Sequence, residues 1–227
     1  MPFRDLAERL AEVRARVDRA VGRGGHGQTV IVVGVTKTYG PEAAMAAWEA
    51  GLRDVGENKV QEAAAKMPHV KVPLRWHLIG HLQRNKVKQT DAFQLIHSMD
   101  SARLADALAA HGAARGRPVE VLTQVNVSGE ETKGGYEPSM FVREADRLRE
   151  LSGIVVRGVM TMAPFGADDA TLRSVFAGAR GCGVVLRAAG QPATELSMGM
   201  SSDYEVAVEE GATLIRLGTV LFGARAA

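Results

Sequence analysis

The sequence predicts an α/β fold, a single (β/α)₈ TIM barrel with an extra helix at its N-terminus. Short apolar runs rich in Val, Ile and Leu alternate with longer stretches rich in Ala, Glu, Arg and Leu, the order that builds a parallel sheet with helical crossovers. About eight such units fit into the 227 residues, as a closed barrel requires. An open doubly wound sheet is the alternative, but the first strand-to-helix turn, "TKTYGPE", carries no G-x-G-x-x-G dinucleotide fingerprint.

The N-terminal stretch spaces Phe3, Leu6, Leu10, Val13 and Val17 three and four apart, one stripe of an amphipathic helix over residues 1–22. Gly-rich "GRGGHGQ" ends it, and the barrel follows over residues 30–223. Strands are expected at Val30–Lys37, Leu52–Glu57, Arg75–Gly80, Phe93–Met99, Val119–Val127, Val155–Met162, Thr194–Met200 and Thr213–Gly218. Helices are expected at Pro41–Ala50, Lys59–Lys66, Gln83–Gln89, Ser101–Arg115, Ser139–Leu151, Asp168–Ala189 and Ser202–Glu210, with proline opening the first and Ser or Asp capping several others. No linker or low-complexity tract divides the chain, so residues 1–227 read as one domain.

Composition excludes several classes of function. Lys plus Arg number 28 against 26 Asp plus Glu, and a pI near 8.8 gives no field that implies nucleic acid. The basic patch Gln83–Lys88 has no aromatic platform beside it and reads as a solvated face. The charged N-terminus has no apolar core of the length a signal peptide or membrane span needs, which predicts a cytoplasmic protein. Cys182, the single cysteine, excludes an internal disulfide, and its neighbours Gly181 and Gly183 suggest a turn. His69, His77, His81, His97 and His111 form no helical H-E-x-x-H zinc pair, since His77 and His81, though four apart, have Gly80 between them and fall on and just after an expected strand, so no metal is expected.

In a parallel barrel the chemistry gathers at the C-terminal ends of the strands. Strand one ends at Thr36 and Lys37, strand two at Glu57 and Asn58, strand three carries His77, strand four His97 and Ser98, and strand five Asn126 and Ser128. The last two strand ends run into loops of small residues, where Gly199, Ser201, Ser202, Gly218 and Thr219 can expose backbone N–H groups to a phosphate. Lys37 ends an apolar strand; it can pair with a carboxylate such as Glu57 or, desolvated, offer the free amine that attacks an aldehyde. Lysine, phosphate cradle and barrel together point to pyridoxal phosphate. Met160, Met162, Met198 and Met200 alternate along two strands as barrel packing that can also flank a bound ring.

The motifs "VTKT", "GENKVQE" (Gly56–Glu62), "WHLIGHLQRNK" (Trp76–Lys86), "IHSMDS" (Ile96–Ser101), "VNVSGEETKGG" (Val125–Gly135), "RGVMTM" (Arg157–Met162), "ELSMGMSSDYEVAVEEGAT" (Glu195–Thr213) and "IRLGTVLFG" (Ile215–Gly223) follow one another in order. On them the sequence resembles the pyridoxal phosphate homeostasis protein family, single-domain relatives of the N-terminal barrel of alanine racemase, from about Val32 to Gly223. The resemblance implies that Lys37 forms the internal aldimine with pyridoxal 5′-phosphate, that Ser201, Gly218 and Thr219 hold the phosphate, that Asn58 and His77 line the cofactor, and that Arg216 faces the pyridine nitrogen. An arginine there donates a hydrogen bond and stays protonated, so the ring is a weaker electron sink than with an acidic partner. Racemases of this kind also draw a tyrosine from a second domain, whereas this chain ends at Ala227.

The resemblance therefore implies a non-catalytic carrier for vitamin B6 and amino-acid homeostasis, a monomer that passes cofactor to recipient apoenzymes; a racemase or lyase is the alternative. The chain departs from the family at Tyr39, where many members have a second lysine. Lys133 does match the family's lysine in its loop, and by itself reads as a solvated side chain.

Overall fold

The N-terminal stripe folds as helix α1, Leu6–Gly24, burying Leu6, Leu10, Val13 and Val17 and ending on Gly25 in the left-handed region. The computed structural model describes residues 3–130 and 133–223. Residues 1 and 2 of the expected first helix, Glu131 and Thr132 of "SGEETKGG", and residues 224–227 lie outside the described part.

Eight parallel strands close in sequence order: β1 (Ile31–Val35), β2 (Asp54–Glu57), β3 (Arg75–Leu78), β4 (Leu95–Met99), β5 (Val119–Gln124), β6 (Ile154–Met160), β7 (Glu195–Ser197) and β8 (Leu214–Leu217). The seam pairs β1 with β8 from Ile31 opposite Leu214 to Gly34 opposite Leu217. The helices between them are α2 (Pro41–Glu49), α3 (Val60–Lys66), α4 (Ala102–Ala114), α5 (Phe141–Arg149), α6 (Asp169–Ala188) and α7 (Tyr204–Glu209), with α8 (Thr219–Phe222) after the last strand. Ion pairs of Arg16 with Glu205 and of Arg23 with Glu209 fasten α1 to α7, and Arg9 donates to the Leu221 carbonyl in α8.

The period of two along each strand sorts side chains between two environments. Outward residues such as Val55, Ile96, Val121, Val156 and Ile215 pack against the helices in one continuous apolar layer. Inward, Val33, Leu95, Leu122, Met160 and Leu214 form a separate small cluster. Asp54, His77, His97, Ser197 and Arg216 occupy the inward positions beside it and are all buried.

Four local expectations change. Gln83–Gln89 is a 3₁₀ segment, Arg84–Gln89, because only Val87 of this charged stretch is buried and nothing draws it into a full α-helix. Ser139–Leu151 splits into a 3₁₀ turn at Pro138–Met140 and α5. No turn forms at Cys182: α6 runs straight through it, and its small residues serve close packing, since a Cβ on Gly178 would lie 2.6 Å from Val127 Cγ1. Of the expected caps, the Asp168 carboxylate accepts from Thr171 N at 2.8 Å, whereas Ser101 occupies its cap position without such a bond.

Candidate functional site

The C-terminal strand ends surround a cavity of about 810 Å³. Lys37, Asn58, Ser201, Arg216, Gly218 and Thr219, six of the seven expected site residues, line it together. Lys37 stands two residues past the end of β1, half-buried, after a fully buried Thr36. Glu57, one expected partner for that lysine, is taken by another: it lies fully buried and pairs at 2.5 Å with Lys66 of α3, while accepting from Thr36 Oγ1 at 2.6 Å. Burial pushes the Glu57 carboxyl above its ordinary value, against the pull of Lys66 and Thr36.

His77 is the seventh, and the structure places it below the cavity. Its ring faces the barrel interior at 3% exposure, and Ile79, Gly80 and His81 beyond the end of β3 reach the cavity instead. His77 belongs to a buried column that sequence reasoning missed. Arg75 makes a bidentate pair with Asp54 at 2.7 and 2.6 Å near the opposite mouth. Asp54 lies 3.0 Å from His77 Nε2, His77 Nδ1 lies 2.9 Å from His97 Nε2, and His97 Nδ1 lies 2.8 Å from Ser197 Oγ. Arg216 then donates through one nitrogen to Ser197 Oγ at 2.6 Å and to the Ser197 carbonyl at 2.7 Å, and through the other to the Thr161 carbonyl at 2.9 Å.

One assignment uses every donor once. A carboxylate only accepts, so His77 carries its proton on Nε2; His77 Nδ1 then accepts from His97 Nε2–H, and His97 Nδ1 accepts from the Ser197 hydroxyl. Burial first, and then the Arg216 charge, hold His97 well below its ordinary value, consistent with a neutral ring. Burial pushes Asp54 up, but hydrogen bonds from Arg75 and His77 outweigh it and leave the carboxyl lowered. The Arg216 guanidinium is pushed down to about 10 by burial, against the pull of Asp203, and remains protonated at neutral pH. Three of its five N–H groups are used by these partners, which leaves two for a ligand.

The two small-residue loops are joined: Val220 N donates to Ser201 Oγ at 3.4 Å. Gly199 turns the first loop at φ +93°, and its carbonyl accepts from Arg216 N at 3.0 Å. Across the cavity from Lys37 are Gln124, Lys133 and a His81–Asp100 pair at 3.0 Å, with Phe165 at the rim, 98% exposed. Met162 and Met200 also line it, while Met160 is buried in the inward cluster and Met198 in the outer apolar layer.

Residues 9–226 match the family described as the alanine racemase N-terminal domain. The pyridoxal phosphate homeostasis protein of Aquifex aeolicus is 41% identical over 225 residues, covering 97% of this chain and 99% of that protein. The chain belongs to the pyridoxal phosphate homeostasis protein family. Another member, from Pseudomonas aeruginosa, is 40% identical over 223 residues, covering 97% of this chain and 96% of that one. Among solved structures, PipY of Synechococcus elongatus PCC7942 with PLP bound superposes with a TM-score of 0.85 at 38% identity, over 96% of this chain and all of that one.

Tyr39, where the resemblance leads one to expect a second lysine, has a structural setting. Its ring packs edge-on to Phe3, with centroids 5.5 Å apart, and against Phe222 at 5.8 Å, so it ties the start of α1 to α8 beside the cavity. Lys133 pairs with Glu130 and lines the same cavity, and is thus less solvated than its loop suggests.

Proposed function

We propose that the protein binds pyridoxal 5′-phosphate in this cavity and holds it reversibly on Lys37 as a non-catalytic, monomeric carrier in the cytoplasm, releasing it to recipient apoenzymes. The observation that carries the reading is the convergence of Lys37, Arg216 and the two small-residue loops on one cavity. The donor set fits a small anionic aldehyde: among the described lining residues, Lys37, Lys133 and Arg216 face the single carboxylate of Asp100. The cofactor supplies an aldehyde that condenses reversibly with an amine and releases water. Lys37 Nζ is that amine; Ser201, Gly218 and Thr219 bind the phosphate; Asn58 orients the ring; and Arg216, held by Ser197 and Thr161, donates toward the ring nitrogen without giving up its proton. The names of the relatives, matched over nearly their whole length, support a role in pyridoxal phosphate homeostasis, from which an effect on amino-acid balance would follow.

A racemase or lyase reading draws on the His81–Asp100 pair, a candidate acid–base group on the cavity wall. One experiment separates the two. Borohydride reduction of the cofactor-loaded protein should fix one adduct per chain, mapped by mass spectrometry to Lys37 and absent from Lys37→Ala. Incubation with L-alanine and other amino acids in deuterated water should give no α-proton exchange at catalytic rates. Sustained exchange would replace the carrier with an enzyme, and an adduct retained in Lys37→Ala would move the site.

A further inference from the structure

We infer that Glu62 and Lys66 of α3 are positioning residues, two arms of a clamp that fixes the backbone on either side of Lys37 and so aims its amine into the cavity. The inference rests on the reading of Lys37 as the cofactor's amine. Lys66 Nζ donates to the Thr36 carbonyl at 2.8 Å, just before the lysine, and Glu62 Oε1 accepts from Thr38 N–H, just after it. The two arms stand one helical turn apart on the same face of α3, 3.6 Å from each other. Glu57, fully buried between strand and helix, anchors the first arm by accepting from both Lys66 and Thr36 Oγ1.

Thr38 shows what the second arm does. Its φ is +68°, the only positive value at a non-glycine among the described residues. A β-branched side chain is strained in that region, and such a conformation persists only where its surroundings over-determine it. Residue 38 turns the chain immediately after the lysine, with Tyr39 N bonded back to the Thr36 carbonyl at 3.2 Å. Without an acceptor on Thr38 N–H, the residue relaxes to negative φ, the turn opens, and the amine no longer arrives at one place. The packing of α3 rests on buried Val60, Ala63 and Lys66, while Glu62 is only partly buried and touches that set through its ion pair with Lys66, so it can be removed without unfolding the helix.

The test compares Glu62→Ala, which deletes the acceptor, with Glu62→Gln, whose amide carbonyl still accepts. Two quantities are read: hydrogen exchange at the Thr38 amide in cofactor-free protein, and the rate of pyridoxal phosphate capture followed by absorbance and borohydride-trapped adduct. Glu62→Ala should exchange about tenfold faster at Thr38 and capture about tenfold more slowly, the scale of one lost charge-assisted hydrogen bond, with a melting temperature lowered by only a few degrees. Glu62→Gln should stay within about twofold of wild type on both. Unchanged exchange in Glu62→Ala overturns the clamp. Faster exchange with unchanged capture overturns the positioning role, as does a Gln variant as slow as the Ala variant. Were the wild-type protein to take up no cofactor on Lys37, the functional reading would fall, and the exchange comparison would still decide the clamp.

Discussion

Outside the strand cylinder, Val55, Ile96, Val121, Val156 and Ile215 meet the helices through apolar contacts; inside it, Val33, Leu95, Leu122, Met160 and Leu214 share the space with Asp54, His77, His97, Ser197 and Arg216. Barrels of this class commonly fill the interior with layers of branched aliphatic side chains. Here a file of hydrogen-bonded polar groups replaces part of that filling and ends at the guanidinium in the cavity wall. The division of labour teaches that the outer layer holds the molecule together, while the interior sets the electrostatics of the site. A change in either region should therefore leave a different signature.

The largest effect is expected outside. Phe176 on α6 is fully buried in the outer layer, and Phe176→Ala should lower unfolding free energy in urea by about 3–5 kcal/mol through the cavity it leaves. Cofactor capture per folded molecule should not change; a parallel loss of capture would break the comparison.

Inside, the signature is pH. His97 is neutral when folded, with its value lowered mainly by burial, and protonates near its ordinary value when unfolded. The unfolded chain then binds the extra proton, so the contribution of this residue to stability is complete above pH ~6.5 and falls by about 1.4 kcal/mol per unit as pH drops below that. Urea titrations of cofactor-free protein from pH 7.5 to 5.5 should show this slope, and His97→Gln should remove it. An identical slope in the variant would mean that the column does not carry the titration.

The smallest effect belongs at the junction of the two regions. Tyr39→Lys introduces the lysine expected from the resemblance and removes two ring contacts, with Phe3 and Phe222. It should cost about 1 kcal/mol in urea unfolding. A stability gain would show that the aromatic cluster does not hold α1 against α8.

The barrel and its mouth were legible in the sequence because local patterns encode them. Alternating and 3.6-residue periods marked the strands and most helices, and reading only the strand ends picked out Lys37, Asn58, Ser201, Gly218 and Thr219 as lining the mouth, whereas Arg216 came only from the family resemblance. Pairing across the closed sheet was not legible. His77 and His97 each look like an isolated histidine in an apolar run, and only the register of β3 on β4 and the curvature that brings Ser197 beside them make a column. Lys66 ends a helix where a solvated lysine is ordinary, and nothing local shows that it turns inward to Glu57. Tyr39 meets Phe3 and Phe222 only because the ends of the described chain come together in space.

The Lys66–Glu57 pair also bears on the order in which the molecule assembles. Helix α3 has seven residues, too few to persist alone in water, so it forms when it docks. Docking joins Thr36, Glu57 and Lys66, no more than 30 positions apart along the chain. The loops that would receive a phosphate are set by the seam of β1 with β8, which brings Ile31 to Leu214. Loop closure makes the short-range event the faster of the two. During refolding the lysine should thus acquire its setting first, and the anion cradle opposite it only when the cylinder closes.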